Sequence, residues 1–278
     1  MNTGKARRLA RFFRGGKSVV VPMDHGVSSG PLPGLDNMPA TLAAVLDGGA
    51  DAVIGHRVLF RHLANQLNKR PAAQPGAATG AALLHLSSST DLSPAPNHKV
   101  LTASVEDALR LGADGVSIHV NLGDPAEAAM LSDFGRVARD ASKWGLPLLA
   151  MLYARGPAIQ NSFDPEVVAH CARVGAELGA DVVKVLYTGE AGSFRRVVDG
   201  CGVPVLVAGG PQKDSLEGFF QMLGEAMSAG AAGVSIGRNV FQHPRPDLVT
   251  AALRALVHEG ASQEQALLLT LAGPTLTC

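Results

Sequence analysis

Cysteine, aromatic residues and net charge are all scarce in this sequence. Its three cysteines lie far apart without a CxxC pair, so we expect neither a disulfide framework nor a cysteine zinc motif, and a reducing cytoplasm fits (Cys171, Cys201 and Cys278). Lysine plus arginine and aspartate plus glutamate are both 24. The resulting zero net charge argues against broad binding to nucleic acid or to anionic membranes. Aromatic residues make up only 4%, and no apolar run approaches the roughly 18 residues of a membrane span.

The N-terminal stretch is basic but lacks the apolar segment of a signal peptide. We interpret residues 1–17 as a solvated helix that caps the fold, with a targeting arm as the alternative. The basic residues of this stretch are Lys5, Arg7, Arg8, Arg11, Arg14 and Lys17.

Hydrophobic residues make up 46% of the sequence and charged residues 17%, which allows a large core. The length of 278 residues is close to the ~250 residues of one (β/α)8 barrel, although two smaller domains would also fit. We interpret 1–278 as one domain, with 261–278 as a C-terminal extension that has room for one more helix. The segment 66–80, rich in proline, glycine and alanine, is predicted to be a loop.

Four segments of the sequence echo one another. In each, a glycine follows a helix-like stretch and a β-branched apolar run begins soon afterwards, as expected where a helix ends and a strand starts. The glycines recur about every 60 residues, twice the roughly 30 residues of one βα unit, which predicts the second, fourth, sixth and eighth strands of a barrel. The echoing segments are Gly49–Ile54, Gly112–Ser117, Gly179–Lys184 and Gly230–Ser235.

The odd strands fall between the echoes and are separated from them by helical patterns. Near-continuous apolar strands that alternate with helices are typical of an all-parallel sheet, and eight of them predict a closed (β/α)8 TIM barrel of the α/β class. The predicted odd strands are Ser18–Asp24, Ala81–Ser87, Pro147–Tyr153 and Val203–Ala208, and predicted helices include Pro125–Trp144, Pro165–Leu178 and Leu216–Ala229.

The echoes also predict which side chains face inward. Strand side chains alternate with a period of two, and alternate strands of a barrel contribute to one interior layer. The equivalent positions expected to share the inward facing are Ile54, Ser117, Lys184 and Ser235. Two residues later, nearer the C-terminal mouth where barrel active sites lie, come His56, His119, Leu186 and Gly237.

Lys184 is the candidate nucleophile of this predicted site. A buried lysine is costly unless it is paired or neutral, and a neutral amine can form a Schiff base with a carbonyl substrate. The alternative is a lysine that extends from a strand end to water. Asp24 and Tyr153 end predicted strands and could move protons in an aldol reaction. Their structural alternatives are an ion pair, including one with Lys184, and a core aromatic residue.

The ends of the predicted seventh and eighth strands form a phosphate-site pattern. Glycines at 209, 210 and 237 let backbone N–H groups approach an anion, and a short helix end and Arg238 add positive charge. A tight turn with a surface arginine is the alternative.

Histidines near the strand ends raise a metal-dependent alternative. No HxH or HExxH spacing supports it, and we expect no metal. The histidines concerned are His25, His56, His85 and His119.

Seven stretches of the sequence carry a family resemblance. They are VPMDHGVSSGP at 21–31, HLSSSTDLSPAPNHKVL at 85–101, ADGVSIHVNLGD at 113–124, GLPLLAMLYARG at 145–156, DVVKVLYTGEAGSFRRVV at 181–198, VPVLVAGGPQKD at 203–214 and GVSIGRNVFQHPRP at 233–246. Together they resemble the archaeal-type class I aldolase family, which includes fructose-bisphosphate aldolases. The resemblance covers nearly the whole chain and implies a barrel without metal or cofactor that forms large homo-oligomers, often decamers.

The resemblance also implies roles for individual residues. It implies a Schiff-base lysine at Lys184, a proton donor at Tyr153 and a proton acceptor at Asp24. It implies ketose-phosphate contacts at His25, Gly26, Val27, Ser28, Ala154, Arg155, Gly209, Gly210, Gly237 and Arg238, to which the register argument adds Ser235 and His119.

Segment 85–99 resembles the synthase branch of the family more than the sugar-bisphosphate aldolases. That branch joins a three-carbon unit from a ketose phosphate (dihydroxyacetone phosphate or 6-deoxy-5-ketofructose 1-phosphate) to L-aspartate semialdehyde, leading to aromatic amino acids or aminohydroxybenzoates. We therefore predict such an aldolase or transaldolase, with fructose-bisphosphate aldolase and a non-catalytic sugar-phosphate-binding barrel as alternatives. Departures from the family pattern at Ala154, 56–58 and Gln212 bear on the donor and the acceptor and leave the Schiff-base chemistry intact.

Overall fold

The computed structural model describes residues 2–67, 80–210 and 215–271. Ten strands occur in these residues. They are β1 (Ser18–Pro22), β2 (Ala52–Gly55), β3 (Ala81–His85), β4 (Ser87–Ser88), β5 (Val100–Leu101), β6 (Gly115–Leu122), β7 (Leu148–Ala154), β8 (Val182–Val185), β9 (Val205–Ala208) and β10 (Gly233–Ser235).

Helices follow most of the strands. They are α1 (Thr3–Phe12), α2 (His25–Ser29), α3 (Met38–Asp47), α4 (Arg57–Leu67), α5 (Val105–Arg110), α6 (Glu127–Trp144), α7 (Pro165–Glu177), α8 (Ala191–Cys201), α9 (Leu216–Ser228), α10 (Arg238–Phe241), α11 (Pro246–Arg254) and α12 (Gln263–Leu271), with a π-helical turn at Ala255–Glu259. None of these described helices has the length and apolar composition needed to span a bilayer.

Eight parallel strands close into a barrel in the order β1-β10-β9-β8-β7-β6-β3-β2. The predicted (β/α)8 TIM barrel is confirmed, and the four echoes are its even strands. The first strand ends earlier than predicted, at Pro22, so Asp24 lies in the loop beyond it and directly precedes α2. The predicted third strand is divided, because its last residues turn away to form β4.

The barrel interior contains the side chains that the echoes place there. Lys184 aligns with Met151 and Leu206 of the neighbouring strands, which belong to the inner apolar cluster. Ser235 aligns in the same way with Val20 and Ala208, and Ile54 is itself a member of that cluster. The predicted inward facing of the echo positions is therefore confirmed, since side chains in register on parallel strands share a facing.

The N-terminal helix closes the other end of the barrel. Phe12 of α1 is fully buried in the inner cluster. Three basic residues of the N-terminal stretch pair with the aspartates that begin three of the echo strands: Lys5 with Asp181, Arg11 with Asp114 and Arg14 with Asp51. The helix packs at the barrel floor in the manner expected of a cap. Only Lys5 of these three is buried, whereas the Arg11 and Arg14 side chains are 54% and 42% exposed and stay partly solvated in their ion pairs.

Each of these aspartates also anchors the neighbouring odd strand. Asp51 accepts a hydrogen bond from the backbone N–H of Val19, Asp114 from Ala82 and Asp181 from Leu148. The repeated Gly-Ala-Asp is thus a strand-start anchor that satisfies one backbone donor at the barrel floor. The fourth echo has Ala232 at this position.

A small hairpin covers part of the opposite end, the C-terminal mouth. Strands β4 and β5 pair antiparallel and enclose residues 89–99. This loop is tied to α2, because Asp91 accepts a hydrogen bond from the Ser29 hydroxyl and donates its backbone N–H to Ser28. The sequence pattern did not predict this hairpin.

Two segments predicted from the sequence lie only partly within the described residues. Gln66 and Leu67 belong to α4 instead of the predicted loop, and 68–79 lie outside the described residues. The C-terminal extension contains helix α12, as its length allowed, and 272–278 lie outside the described residues.

Candidate active site

A cavity of about 530 Å³ opens at the C-terminal mouth of the barrel. It brings together most of the predicted site residues, from six different barrel strands or the loops that follow them. Those that line it are Asp24, His25, Ser28, His119, Tyr153, Arg155, Lys184, Gly209, Gly210, Ser235, Gly237 and Arg238.

Three predicted residues do not line this cavity. Ala154 follows Tyr153 on β7, so the alternation of the strand turns its side chain outward into the core between barrel and helices. Gly26 and Val27 lie on α2 between His25 and Ser28, whose i,i+3 spacing brings those two to the cavity side. The cavity lining omits these three residues, and the predicted contacts of Gly26, Val27 and Ala154 with a ketose phosphate stay a prediction.

Lys184 reaches the cavity from the barrel interior. It is 6% exposed and lines the cavity, and no carboxylate of the described residues is in ion-pair contact with it, although its charge acts on Asp24. The inward facing places its amine at the cavity floor, where a bound carbonyl carbon would be shielded from bulk water. This position argues against the alternative of a lysine extended to the outer surface.

Asp24 is buried beside two histidines. Its Oδ1 lies 3.3 Å from His25 Nδ1, and its Oδ2 lies 3.6 Å from His85 Nε2. Burial raises the pKa of this carboxyl, but His25, His85 and Lys184 together outweigh burial and hold the pKa well below its ordinary value. Asp24 is therefore ionised at neutral pH, and its direct neighbours are histidines instead of the lysine considered from the sequence.

Tyr153 lies between a histidine and an arginine. The His119 ring packs edge-on against it with centroids 5.0 Å apart, and the Arg155 guanidinium lies 4.9 Å from its ring centre. These contacts fix the ring, while the side chain still lines the cavity. The phenol is thus oriented at the mouth beside Lys184, since Met151 of the same strand is the register neighbour of that lysine.

His119 is held as a neutral imidazole. Asn121 donates its amide N–H to Asn97 O, which leaves its carbonyl oxygen 2.9 Å from His119 Nε2 as an acceptor. Burial lowers the pKa of His119 well below its ordinary value, with Lys99 and Arg155 acting in the same direction. The Nε2 atom therefore carries the proton and Nδ1 is an acceptor.

His85 is neutral for the same reason. Burial lowers its pKa to about 4, although the Asp24 carboxylate opposes the shift. Its Nδ1 lies 2.8 Å from the hydroxyl of Ser117, the echo position on β6. His85 thus links the interior layer to Asp24.

The phosphate pattern occupies one end of the cavity. Arg238 donates from its guanidinium to Gly210 O, which links the loops after β9 and β10. A Cβ atom on Gly237 would lie 2.7 Å from His25 Cε1 and 3.0 Å from Pro22 O, so only glycine fits there without displacing His25 or the backbone. Glycines and a cation meet here as the pattern predicted.

The structure adds cavity residues that the strand pattern did not identify. They come mainly from the loop between β4 and β5 and include Asp91, Asn97 and Lys99. The only signal was the polar run Asn97-His98-Lys99 directly before an apolar pair. Within the described residues, no group of three or more His, Cys, Asp or Glu side chains is arranged to hold a metal ion.

Comparison with known proteins gives a consistent result. Residues 18–243 match the family described as DeoC/LacD family aldolase. The chain is 41% identical over 266 residues to 2-amino-3,7-dideoxy-D-threo-hept-6-ulosonate synthase of Halobacterium salinarum, covering 96% of both chains. It is 37% identical over 244 residues to 2-amino-4,5-dihydroxy-6-oxo-7-(phosphonooxy)heptanoate synthase of Streptomyces griseus, covering 88% of this chain and 86% of that one.

Solved structures show the same likeness. An archaeal fructose 1,6-bisphosphate aldolase superposes with a TM-score of 0.80 at 34% identity, over 93% of this chain and 100% of that chain. Another archaeal structure, with its catalytic lysine covalently bound to a carbinolamine intermediate, also superposes with a TM-score of 0.80 at 34% identity, over 92% of this chain and 99% of that one.

Proposed function

Because the chain belongs to the DeoC/LacD family of aldolases and is an enzyme of the Schiff-base type, we propose that Lys184 is its carbonyl-capturing amine. The observation that carries this proposal is a buried lysine, not in ion-pair contact with any carboxylate of the described residues, that reaches a cavity also lined by Tyr153 and Asp24. The non-catalytic alternative is dropped, since the family and its relatives are enzymes.

The proposed reaction begins with imine formation. Lys184 Nζ adds to the ketone carbon of a ketose phosphate, and the carbinolamine oxygen leaves as water after it takes a proton. Tyr153 supplies this proton, because its ring is fixed at the cavity and a phenol is an acid of suitable strength. The product is a protonated imine on Lys184.

The carbon adjacent to the imine then becomes the nucleophile. With dihydroxyacetone phosphate this carbon loses a proton. With a longer ketose the C–C bond to the leaving half breaks while the hydroxyl of that half loses its proton to give the aldehyde, and either step leaves an enamine. Asp24 accepts the proton, since its carboxyl is ionised. The enamine carbon attacks the acceptor aldehyde, the new alkoxide takes a proton, and water releases the product from Lys184.

The donor phosphate is proposed to bind at the glycine end of the cavity. Backbone N–H groups around Gly209, Gly210 and Gly237 and the Arg238 guanidinium supply donors and positive charge. The neutral His119, with Nδ1 as an acceptor, is suited to a substrate hydroxyl. Ser235 and Ser28 line the same cavity and add hydroxyl groups.

L-Aspartate semialdehyde is the proposed acceptor. The two synthases to which the chain is similar support an acceptor that supplies an amino group, and the loop 89–99 gives the cavity charged residues at its second end. The reaction would serve the synthesis of aromatic amino acids or of an aminohydroxybenzoate in secondary metabolism. Fructose-bisphosphate aldolase is the second candidate, favoured by the 34% identity to archaeal enzymes of that activity.

A product screen tests this substrate assignment. L-Aspartate semialdehyde is incubated separately with dihydroxyacetone phosphate, with 6-deoxy-5-ketofructose 1-phosphate and with fructose 1,6-bisphosphate. The bisphosphate is also incubated without the semialdehyde. Products are identified by mass spectrometry. We expect an amino-keto product from one of the first two donors. Turnover of the bisphosphate alone, without an amino product from any donor, would overturn the assignment.

Three further expectations accompany this proposal. We propose a single-domain homo-oligomer, a decamer by family resemblance, which sedimentation equilibrium would test. A cytoplasmic location is supported by the free, buried thiols of Cys171 and Cys201. We propose that the reaction needs neither metal nor cofactor, and full activity after treatment with a chelator is the expected result.

A further inference from the structure

Two cations lie at the end of the cavity opposite the glycine pattern. Lys99 is buried directly before β5, and Arg155 directly follows β7. Both line the cavity. Among the described residues, neither forms an ion pair with a carboxylate; the Lys99 amine donates to the Ser89 hydroxyl, and Arg155 packs on the Tyr153 ring.

These cations are placed unfavourably in the absence of an anion. Burial lowers the pKa of Lys99, and the nearby charge of Arg155 lowers it further. Like charges in one cavity repel each other, and the buried Lys99 amine is also shielded from the water that would solvate its charge. A carboxylate or phosphate between them would remove both costs, which indicates an anion-binding position.

A carboxylate stands at the same end of the cavity. Asp91 lines it and is held against α2 by the Ser29 hydroxyl, with a distance of 2.7 Å to Asp91 Oδ2. The Asp91 charge raises the pKa of Lys99, whereas the Arg155 charge lowers it, so both Asp91 and Arg155 lie close enough to Lys99 to act on its amine. An acidic side chain beside two basic ones suits a ligand with both charges and disfavours a phosphate dianion.

The barrel order places Lys184 between the two charged ends. Strand β8, which carries it, lies between β9, which leads to the phosphate glycines, and β7, which leads to Arg155. A ketose bound through its phosphate would extend from β9 to Lys184. The carbon that forms the new bond then faces the β7 side, where the acceptor must lie.

We infer that Lys99 and Arg155 bind the α-carboxylate of the acceptor aldehyde and that Asp91 binds its α-ammonium group. This inference rests on the proposed Schiff-base function and adds the residues that select a zwitterionic aldehyde. The leaving half of a longer ketose and the incoming acceptor occupy the β7 side of the cavity one after the other. Arg155 can therefore contact the ketose substrate first and the acceptor aldehyde afterwards.

Three four-carbon aldehydes distinguish the proposed carboxylate contact from the proposed ammonium contact. Dihydroxyacetone phosphate is the donor in every assay. L-Aspartate semialdehyde carries both charged groups, succinic semialdehyde carries the carboxylate alone, and butanal carries neither. In a Lys99→Met variant, kcat/KM should fall on the order of 10- to 100-fold for the two acids, as expected for loss of a charge-assisted bond, and change less than about threefold for butanal. Asp91→Asn should lower kcat/KM for L-aspartate semialdehyde alone.

Two more variants control for folding and charge. Arg155→Met should show the same pattern across the three aldehydes as is expected for Lys99→Met. Because Arg155 is exposed, this variant provides the test if substitution of the buried Lys99 disturbs folding. Lys17→Met, an exposed lysine outside the cavity, should leave all three aldehydes unchanged.

Two results would overturn the inference. Equal losses for all three aldehydes in Lys99→Met and Arg155→Met would assign these residues a role other than acceptor binding. Preference of the native enzyme for glyceraldehyde 3-phosphate, lost in Lys99→Met, would assign the position to a second phosphate. Borohydride trapping of the donor separates the two proposals, because a native protein without any adduct contradicts the Schiff-base function itself.

Discussion

Lys5 and Asp181 form an ion pair that joins the N-terminal helix to the floor of the barrel, with Nζ 2.8 Å from Oδ2. Asp181 directly precedes β8, three residues before Lys184, and its Oδ2 also accepts the backbone N–H of Leu148 at the start of β7. One carboxylate therefore anchors the two strands that carry Lys184 and Tyr153. The helix at the floor contributes in this way to the geometry at the mouth.

Removal of Lys5 should destabilise the fold and spare the chemistry. The side chains of the pair are only 10% and 12% exposed, so Lys5→Met leaves a mostly buried carboxylate with its backbone donor but without its cation. We expect the free energy of unfolding to fall by about 3 kcal/mol. Urea unfolding measures this loss, and kcat at low denaturant should stay within about twofold.

Arg196 provides the matched control for that variant. It pairs with Glu166 on the surface, where the side chains are 67% and 74% exposed. Arg196→Met should change stability by less than about 0.5 kcal/mol. Equal losses in the two variants would show that burial of the Lys5 pair has no special effect.

Gly237→Ala should impair binding of the donor phosphate. The new Cβ would contact His25 Cε1 at 2.7 Å and Pro22 O at 3.0 Å, which forces the loop after β10 to shift. We expect kcat/KM for dihydroxyacetone phosphate to fall roughly 10- to 100-fold. Gly135→Ala is the control, since a Cβ there contacts nothing within 4 Å; it should keep activity and gain about 0.5–1 kcal/mol of stability. Unchanged kinetics in Gly237→Ala would contradict the phosphate assignment.

Tyr153→Phe should separate ring packing from proton transfer. The phenyl ring keeps its contacts with His119 and Arg155, so stability should change by less than about 1 kcal/mol. Loss of the acid should lower kcat roughly 10²- to 10⁴-fold. Steady-state kinetics give this value, and a kcat within threefold of native would exclude Tyr153 as the proton donor.

His85 should make the protein less stable in mild acid. Its pKa of about 4 in the fold lies below the roughly 6.5 of an unfolded histidine, so between these values the unfolded chain binds the extra proton. Stability due to this group is complete above about pH 6.5 and declines as the pH falls towards 4.

A His85→Gln variant isolates that contribution. Its loss of unfolding free energy from pH 7 to 4.5 should be smaller than that of the native protein by about 3 kcal/mol. His56 and His119, whose pKa values are also lowered, chiefly by burial, act with the same sign in both proteins. Parallel stability curves for the two proteins would contradict the burial of a neutral His85.

The barrel could be predicted from the sequence because the four echoing segments mark the same backbone transition, from the end of a helix to the start of a strand. Gly, Ala and Asp recur where a helix ends and a strand is anchored, and the period of two then fixes the facing of Lys184 and Ser235. The same period indicates that Ala154 faces away from Tyr153, whereas the family resemblance implies substrate contacts at all three residues 153–155.

The loop side of the site could not be predicted from periodicity. Lys99 reaches the cavity through the hairpin of β4 and β5 and through the hydrogen bonds from loop 89–99 to α2. The bond from Asp91 to α2 joins residues 62 positions apart, and neither it nor the hairpin pairing leaves a repeating pattern. The pairing of Lys5 with Asp181 is hidden for the same reason, because the two residues lie 176 positions apart in the sequence.

Borohydride trapping tests the central claim most directly. Native enzyme, Lys184→Met and Lys99→Met are each incubated with dihydroxyacetone phosphate and borohydride, and the modified residue is identified by peptide mass spectrometry. Lys99 is the rival amine, because it is buried, lines the same cavity and has a lowered pKa. The account predicts an adduct on Lys184 in the native and Lys99→Met proteins and none in Lys184→Met. An adduct on Lys99, or one that persists in Lys184→Met, would contradict it.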